Sequence, residues 1–599
     1  MLYSFLLISL NIDAILGEVT LYRRRKKLDA MTKGEGLGAA YAATLSRVKA
    51  QSGSRSKLGM EVLMWVSHAE RPLHVDELCH ALGVEGGSID FNTQNIPAIE
   101  TLLECALGLV TVEKSSSTVR LVHYTLQEHL SNNPDLFLDP HSVIAEVCLT
   151  YLNFRYIRDI SPALRAVPPT AALVEYASCH WGSHARRGDT ERVKALAMEL
   201  LDEYDTHISS KMLLLRGAGF WAQPFDQEDT PRGFTGLHGA AYFGCLEITV
   251  ALLEANKWDA QATDFNGNTA IAWAARRGHE RVVRVLLQRG NINPNITNTI
   301  YGQTPLLLAA RDGYGGVVRI LLEWSEVNPE KADKWSRTPL LLAAENGHQE
   351  VVRMLLDRND IDPDKEDDWS QTPLLRAAEN GHQRVVRMLL GQKLVNPNKA
   401  DRRSQTPLLL AARNGHEGVV KMLLGQNVVN PHNADDWSQT PLSWAAKNGH
   451  EGVVKMLLRQ KEINPNTEDT TPGETLLLLA AKNGHDGVVR ILLEQSNVNP
   501  DIADDEYGQT PLSCAAENGR VGVVRILLER NDVNPDKADK LNRTPLWWAL
   551  ENGHERIAEL LQERTDPILK PAASLNPTGP VSPAQSELPQ HSSKKVRRS

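Results

Sequence analysis

Residues 338–356 read T-P-L-L-L-A-A-E-N-G-H-Q-E-V-V-R-M-L-L, and residues 406–424 read T-P-L-L-L-A-A-R-N-G-H-E-G-V-V-K-M-L-L. Versions of this phrase follow ten threonines, Thr235, Thr269, Thr304, Thr338, Thr372, Thr406, Thr440, Thr475, Thr510 and Thr544, at spacings of 34 or 35 residues. A strict period of this length marks a stacked array, in which each unit buries its apolar face only against its neighbours. Within one unit, Thr338 is a natural helix cap, because its hydroxyl can bond an orphan N–H of the first turn. Pro339 then takes the first helical position, where its missing N–H costs nothing. Leu340 to Ala344 form a short apolar helix that Gly347 stops. A second helix is expected from about Gln349 to Asp357, with Val351, Val352, Met354, Leu355 and Leu356 as its apolar face. A polar, proline-bearing stretch (Asn359, Asp360, Asp362, Pro363, Asp364) leads to the next Thr-Pro.

These residues resemble the ankyrin repeat, whose signature is T-P-L-H-x-A-A followed by G-H and a V-V-x-x-L-L helix. The resemblance covers residues 231 to about 565, ten units. Tetratricopeptide repeats share the period but lack the Thr-Pro start. What the resemblance implies is a mainly α fold: an ankyrin-repeat α-solenoid with β-hairpin fingers, whose fingers and first helices form a concave protein-binding face. The family's histidine after T-P-L stands only at His238; Leu307, Leu341, Leu375 and Leu409 take its place elsewhere, so apolar packing is expected to replace its hydrogen bonds. The finger glycine is kept at Gly233, Gly267, Gly302, Gly473 and Gly508. It is replaced by Ser336, Ser370, Ser404, Ser438 and Asn542, where a left-handed turn is less comfortable.

The chain ahead of the array reads differently. Over residues 58–155 a compact helical domain is expected, with helices at 58–69, from 71, and at 97–107, then β-leaning segments at 109–112 and 119–122 around Ser115–Ser117. Helices followed by a small hairpin is the order of a winged helix. Its third helix carries Glu100 and Glu104 and no basic residue, which argues against a nucleic-acid partner. R-P-L-H-V-D-E-L-C-H-A-L (71–82), V-R-L-V-H-Y-T-L-Q-E-H-L (119–130) and Y-A-S-C-H-W-G-S-H-A-R (176–186) resemble the winged-helix and linker region behind the nucleotide-binding domain of fungal-type NACHT–ankyrin proteins, relatives of NOD-like receptors. That resemblance makes residues 1–57 a helical remnant of the NACHT module and 156–230 a helical linker. No Gly-Lys dipeptide occurs, so a G-x-x-x-x-G-K-[ST] phosphate loop is absent from the sequence.

Composition narrows the function. The formal charge of −9 over 599 residues gives no general attraction to nucleic acid or anionic lipid. Six cysteines (Cys79, Cys105, Cys148, Cys179, Cys245, Cys514) have no C-x-x-C pattern and read as reduced thiols of a cytoplasmic protein. The apolar start M-L-Y-S-F-L-L-I-S-L is too short to cross a bilayer, so no membrane partner is expected. Residues 566–599 are a Pro/Ser-rich tail expected to be disordered, and Lys594 to Arg598 resemble a nuclear-import signal. R-R-R-K-K at 23–27 reads as a solvated helix face.

No catalytic constellation appears. G-x-S-x-G is absent, Cys79-His80 lacks spaced partners, and the many loop carboxylates read as a solvated acidic surface. The recurring histidines (His279, His348, His382, His416, His450, His485, His554) sit one repeat apart, about 8–10 Å by helix packing, whereas a metal needs its ligands at about 2 Å. They read as structural bonds between loops, and no cofactor, metal or small-molecule substrate is expected. The candidate binding residues are aromatic. At the expected finger tips, about three residues before the threonines, stand Phe265, Tyr301, Trp335, Trp369, Trp437 and Tyr507, with Arg232, Arg403, Pro472 and Leu541 in the other units. Exposed rings and arginines dominate interface hot spots, but each ring could equally fold over its neighbour's finger. Trp273, Arg376, Trp444 and Trp548, at one variable first-helix position, form a second candidate patch, with core packing as the alternative. The expected function is a non-enzymatic scaffold for a protein partner: the sensing part of a NACHT-type receptor, a free-standing ankyrin adaptor, or a nuclear regulator.

Overall fold

The computed structural model describes residues 19–26, 37–88, 90–160, 168–188, 190–204, 207–217, 233–289, 292–460, 463–465 and 474–565. The apolar start, the finger residues Arg232, Pro472 and Gly473, and the tail with Lys594 to Arg598 lie outside them, as do 161–167 and 218–230 of the expected linker. The chain divides into two compact units, residues 1–411 with 418–430 and residues 412–417 with 431–599. Arginines 23–25 lie on a short helix and are largely exposed, as a solvated face requires.

The first unit begins with helices around a small sheet. In order these are α1 (Leu37–Lys49), α2 (Ser54–His68), β1 (Leu73–His74), α3 (Val75–Leu82), α4 (Ile99–Cys105), β2 (Val110–Glu113), β3 (Thr118–Leu121) and α5 (Tyr124–Ser131). The strands are antiparallel in the order β1-β3-β2, with Val119 opposite both Leu73 and Val112. Leu63, Trp65, Leu78, Leu102 and Leu126 fill the centre. Two expectations need correction. Residues 73–74 form a strand rather than the start of a helix, because the His74 ring accepts from Asp76 N–H while Glu77 takes the His74 N–H at 2.8 Å, fixing the helix start at Val75. Residues 37–49, expected to belong to a separate remnant, pack on this core through the Tyr41 hydroxyl, 2.9 Å from Thr125 Oγ1.

Further helices carry the chain to the array, among them α6 (Pro140–Asn153), α7 (Val174–Ala185) and α8 (Glu191–Asp202). They are more than a linker. Buried Tyr176 receives the Glu70 N–H at 3.1 Å and meets His184 Nε2 at 2.9 Å, tying α7 to the domain before it. On its other side Trp181 packs its ring 4.8 Å from Phe243, and α8 covers both helices of the first repeat. The array's first apolar face is thus capped by chain that sequence periodicity did not include.

Each of the ten threonines opens a helix pair, as the sequence predicts. Thr338 Oγ1 accepts the Leu341 N–H at 3.2 Å, and Pro339–Glu345 is the first helix. Gly347 turns the chain at φ +77°, where a side chain would strike the His382 ring, and Gln349–Leu356 follows with Val351, Val352 and Leu355 buried. Burying such side chains contributes about 1.5–3 kcal/mol each, shared between the repeat's own first helix and the adjacent repeats. The predicted role of the histidines is observed directly. Nε2 of His279, His348 and His382 donates to the carbonyls of Tyr242, Arg311 and Glu345, each 2.9 Å away in the preceding repeat. In the second unit His450, His485 and His554 repeat the bond, and Arg520 substitutes for an imidazole by donating Nε to the Lys482 carbonyl at 3.2 Å. Only His238 plays the family's other role, bonding Thr235 and the Ala262 and Asn268 carbonyls; Leu307 and Leu341 fill the same place with apolar packing.

Candidate functional site

Most of the described fingers are organised by one side-chain oxygen. Asp367 Oδ1 accepts the N–H groups of Trp369 and Gln371, both at 2.9 Å, and Asp435 Oδ1 accepts those of Trp437 and Gln439 at 3.1 and 2.9 Å. Asn298 does the same for Tyr301 and Gln303 at 3.0 Å. Asp264, Asp333, Asp435, Asp504 and Asp539 are buried, so the reading of loop acids as a solvated surface fails at this position. The signal was present, since an Asp or Asn recurs five or six residues before each threonine from Thr269 to Thr440 and again before Thr510 and Thr544. The network holds Ser336, Ser370, Ser404, Ser438 and Asn542 at φ between 58° and 62°, a conformation that costs a side-chain residue about 1–2 kcal/mol in isolation.

Among the described residues the fingers turn back tightly without a strand ladder. Each is a tight loop closed by a bond such as Asp367 N–H to the Gln371 carbonyl at 3.1 Å. The tip residue's own carbonyl then accepts from the next finger: Tyr301 from Lys334, Trp335 from Asp368 and Trp369 from Arg402, at 2.9–3.1 Å. In the second unit Tyr507 accepts from Lys540 at 2.9 Å. Backbone bonding therefore fixes where each tip ring leaves the chain.

Four of the tip rings are open to solvent. Trp437 is 52% exposed, Tyr507 48%, and Tyr301 and Trp369 44%. Trp335 is half-buried, with Tyr301 at 5.6 Å and the Arg337 guanidinium 4.7 Å over its ring, so part of its surface serves packing between fingers. Phe265 is half-buried and stands one residue earlier than the others; Asn266 holds the equivalent tip position and accepts the Thr299 N–H.

The first-helix candidates separate. Trp273 is only 1% exposed, wedged among Phe234 and Tyr242 with Nε1 donating to Asp264 Oδ2 at 2.9 Å, so it is core and leaves the candidate face. Trp444 makes the same bond to Asp435 Oδ2 at 2.8 Å but remains half-exposed beside Lys447. At Trp548 the corresponding carboxylate, Asp539 Oδ2, is already held by Arg543 Nε at 2.8 Å, and the buried indole N–H has no partner. Arg376 turns its Nη1 to Glu379 at 2.9 Å, leaving Asp367 Oδ2, Gln371 Oε1 and its own Nε buried and unbonded at one finger. Burial there pushes the Asp367 carboxyl above its ordinary range.

Three cysteine thiols are held protonated. Burial pushes the Cys79 thiol up to about 11 and the Cys179 and Cys514 thiols to about 12, far from the thiolate a nucleophile needs. The neighbouring His80 bonds the Tyr151 hydroxyl at 3.1 Å and stacks on Phe91. No group of three or more His, Cys, Asp or Glu among the described residues is placed to hold a metal, and none of the described helices is long and apolar enough to cross a membrane.

His184 and half-buried His279 are among the imidazoles whose burial makes the first unit acid-sensitive. Burial lowers His279 to about 4 and His184 to about 3; Arg186 beside His279 and His141 beside His184 reinforce the shift. The unfolded chain binds these protons near pH 6.5 and the folded chain does not, so stability is full above that pH and falls as pH drops through the window down to about 4. The expected slope is up to about 1.4 kcal/mol per pH unit for each group. Thermal unfolding at pH 7 and pH 4.5 measures it, and His279→Gln flattens the dependence; an unchanged slope rejects the assignment.

Comparison with known families gives two matches. The profile described as Ankyrin repeats (3 copies) matches seven overlapping segments that run without a gap from residue 184 to 570, which is 387 of the chain's 599 residues. The profile described as GPI inositol-deacylase, winged helix domain, matches residues 46–140. No curated protein matches the chain. The first match begins inside α7, consistent with the cap formed by α7 and α8.

Proposed function

The chain belongs to the ankyrin-repeat family, and from that premise we propose that it is a non-enzymatic scaffold that holds a protein partner against its fingers and first helices. One observation carries this reading: large aromatic side chains stand solvent-exposed at finger tips whose backbone is held by an internal side-chain oxygen and, at Tyr301, Trp369 and Tyr507, also by the adjacent finger. Exposed rings on a rigid support lose little entropy on binding, and they are the side chains that dominate interface energetics. A photo-crosslinking residue at Tyr301 of the full chain is expected to trap the partner, whereas the same residue at exposed Arg353, on a second helix, is not. Equal trapping at both positions, or none at the tips, rejects the assignment.

The domain ahead of the array supports a finer reading. Its three sequence segments resembling the NACHT-associated linker, and the bonds from Tyr176 that join α7 to it, fit the sensing part of a NACHT-type receptor. In that arrangement, partner binding by the repeats biases a neighbouring nucleotide switch. An in-frame Walker motif upstream in the transcript supports the receptor; without one, the free-standing adaptor is the reading to keep. The nuclear alternative has less support, because Glu100 and Glu104 occupy the helix that would face DNA and Glu104 is paired with Arg55 at 2.8 Å.

A further inference from the structure

The second unit contains a cavity of about 310 Å³ walled by the 504–509 finger and by first helices of successive repeats, Pro511–Glu517 and Pro545–Glu551. A small side chain opens it. The fourth residue after the repeat threonine is tryptophan at Trp273, Trp444 and Trp548, but after Thr510 it is Cys514. Cys514 fills less of this register than those indoles, or than Leu308, Leu342, Leu410 and Leu479 in other units.

The lining is charged in one sense. Glu474, Asp504, Glu506 and Glu517 face it against Lys482 and Arg543, four acids to two bases, a formal −2. Lys482 is paired with Glu474 at 2.9 Å, and Arg543 is held by Asp539 and lies 4.2 Å over the Trp548 ring. Asp504 is spent on the N–H groups of Tyr507, Gly508 and Gln509. Beyond these pairs the negative charge of the lining is carried by Asp504, Glu506 and Glu517; the Tyr507 hydroxyl bonds Glu506, and one Glu517 oxygen accepts from Gln509 Nε2 at 2.9 Å. Tyr507 stands half-exposed at the rim, and Trp548 contributes a buried N–H with no acceptor.

We propose that this cavity seats a lysine or arginine side chain of the bound protein partner. Glu506 and Glu517 neutralise the cationic head, the Tyr507 and Trp548 rings flank it, and Trp548 Nε1 donates to a carbonyl of the same peptide. A carboxylate or phosphate is repelled by the same pair of acids, and a neutral side chain leaves them without a counter-charge. The assignment rests on the scaffold reading above and names the chemistry of the partner at one position.

Capped heptapeptides of glycine and serine with a central Arg, Lys, Gln or Glu, titrated against the full chain by fluorescence anisotropy, test it. The Arg and Lys peptides are expected to bind saturably and at least tenfold more tightly than the Gln and Glu peptides. Glu517→Gln and Cys514→Trp are each expected to weaken the Arg peptide at least tenfold without moving the melting temperature. The second variant installs a side chain that this register already accepts in three other units. Equal binding of the Gln peptide, or Arg binding indifferent to both variants, overturns the proposal. So does spermidine binding as tightly as the Arg peptide, which marks the cavity as a free-polyamine site. Because the readout uses synthetic peptides, it can fail while crosslinking at Tyr301 still succeeds; the two readings fall separately.

Discussion

Replacing Trp335, Trp369 and Trp437 together with alanine is expected to abolish partner capture by the full chain while leaving its melting temperature nearly unchanged. Truncating an interface hot-spot aromatic costs about 2 kcal/mol or more, so three such losses amount to at least a hundredfold even with strong non-additivity. The folded chain spends little on these rings. Trp369 and Trp437 are roughly half exposed, and what orders their fingers is the backbone bonding to Asp367 and Asp435, which alanine leaves intact. Trp335 contributes most to packing, through Tyr301 and Arg337, so the triple variant should be read beside Trp335→Ala alone. A sharp fall in melting temperature with capture preserved would make the rings packing devices and remove the principal support for the scaffold reading.

A large effect on stability is expected at Asp435. Its Oδ1 accepts from Trp437 and Gln439 and its Oδ2 from the Trp444 indole at 2.8 Å, all at a buried site. Asp435→Ala leaves three donors without an acceptor, each costing about 1–3 kcal/mol when water cannot reach it, so a loss of about 3–5 kcal/mol is expected after relaxation. Asp435→Asn is the discriminating control. Asn298 shows that an amide oxygen can organise a finger, but Asn at 435 turns its NH2 toward the indole N–H, donor against donor. Denaturant unfolding should rank wild type above Asn above Ala. If Asn and Ala are equally destabilised, finger organisation and the indole bond are not separable, and the division of labour argued here is wrong.

Much of this fold was legible because the repeat forces local and long-range choices to agree. Thr-Pro, Gly-His and the Val-Val-x-x-Leu-Leu face each name a helix end or a buried side, and helices form where those residues stand. The first cap was not legible, because α7 and α8 bury their apolar faces without the repeated phrase. Strand β1 was hidden by its length of two residues, too short for alternation to show. The candidate face was half legible. Aromatic recurrence located the tips, yet Trp273 and Trp444 share one register and differ in exposure, because only Trp273 has Phe234 and Tyr242 beside it. The finger aspartates were misread since an acid near a loop tip and an acid under it look alike in sequence.

The imidazole-to-carbonyl bonds have an evolutionary corollary. Each joins a repeat only to the one before it, and every preceding repeat offers a backbone carbonyl, which is present whatever its side chain. A duplication or excision of one complete period therefore hands the next imidazole an equivalent acceptor and leaves no broken seam. A cut of any other length strands an imidazole and an apolar face at once. Gene length in such a lineage should change in steps of a whole period, and the near-identity of residues 338–356 and 372–390, one period apart, is the trace such a step would leave.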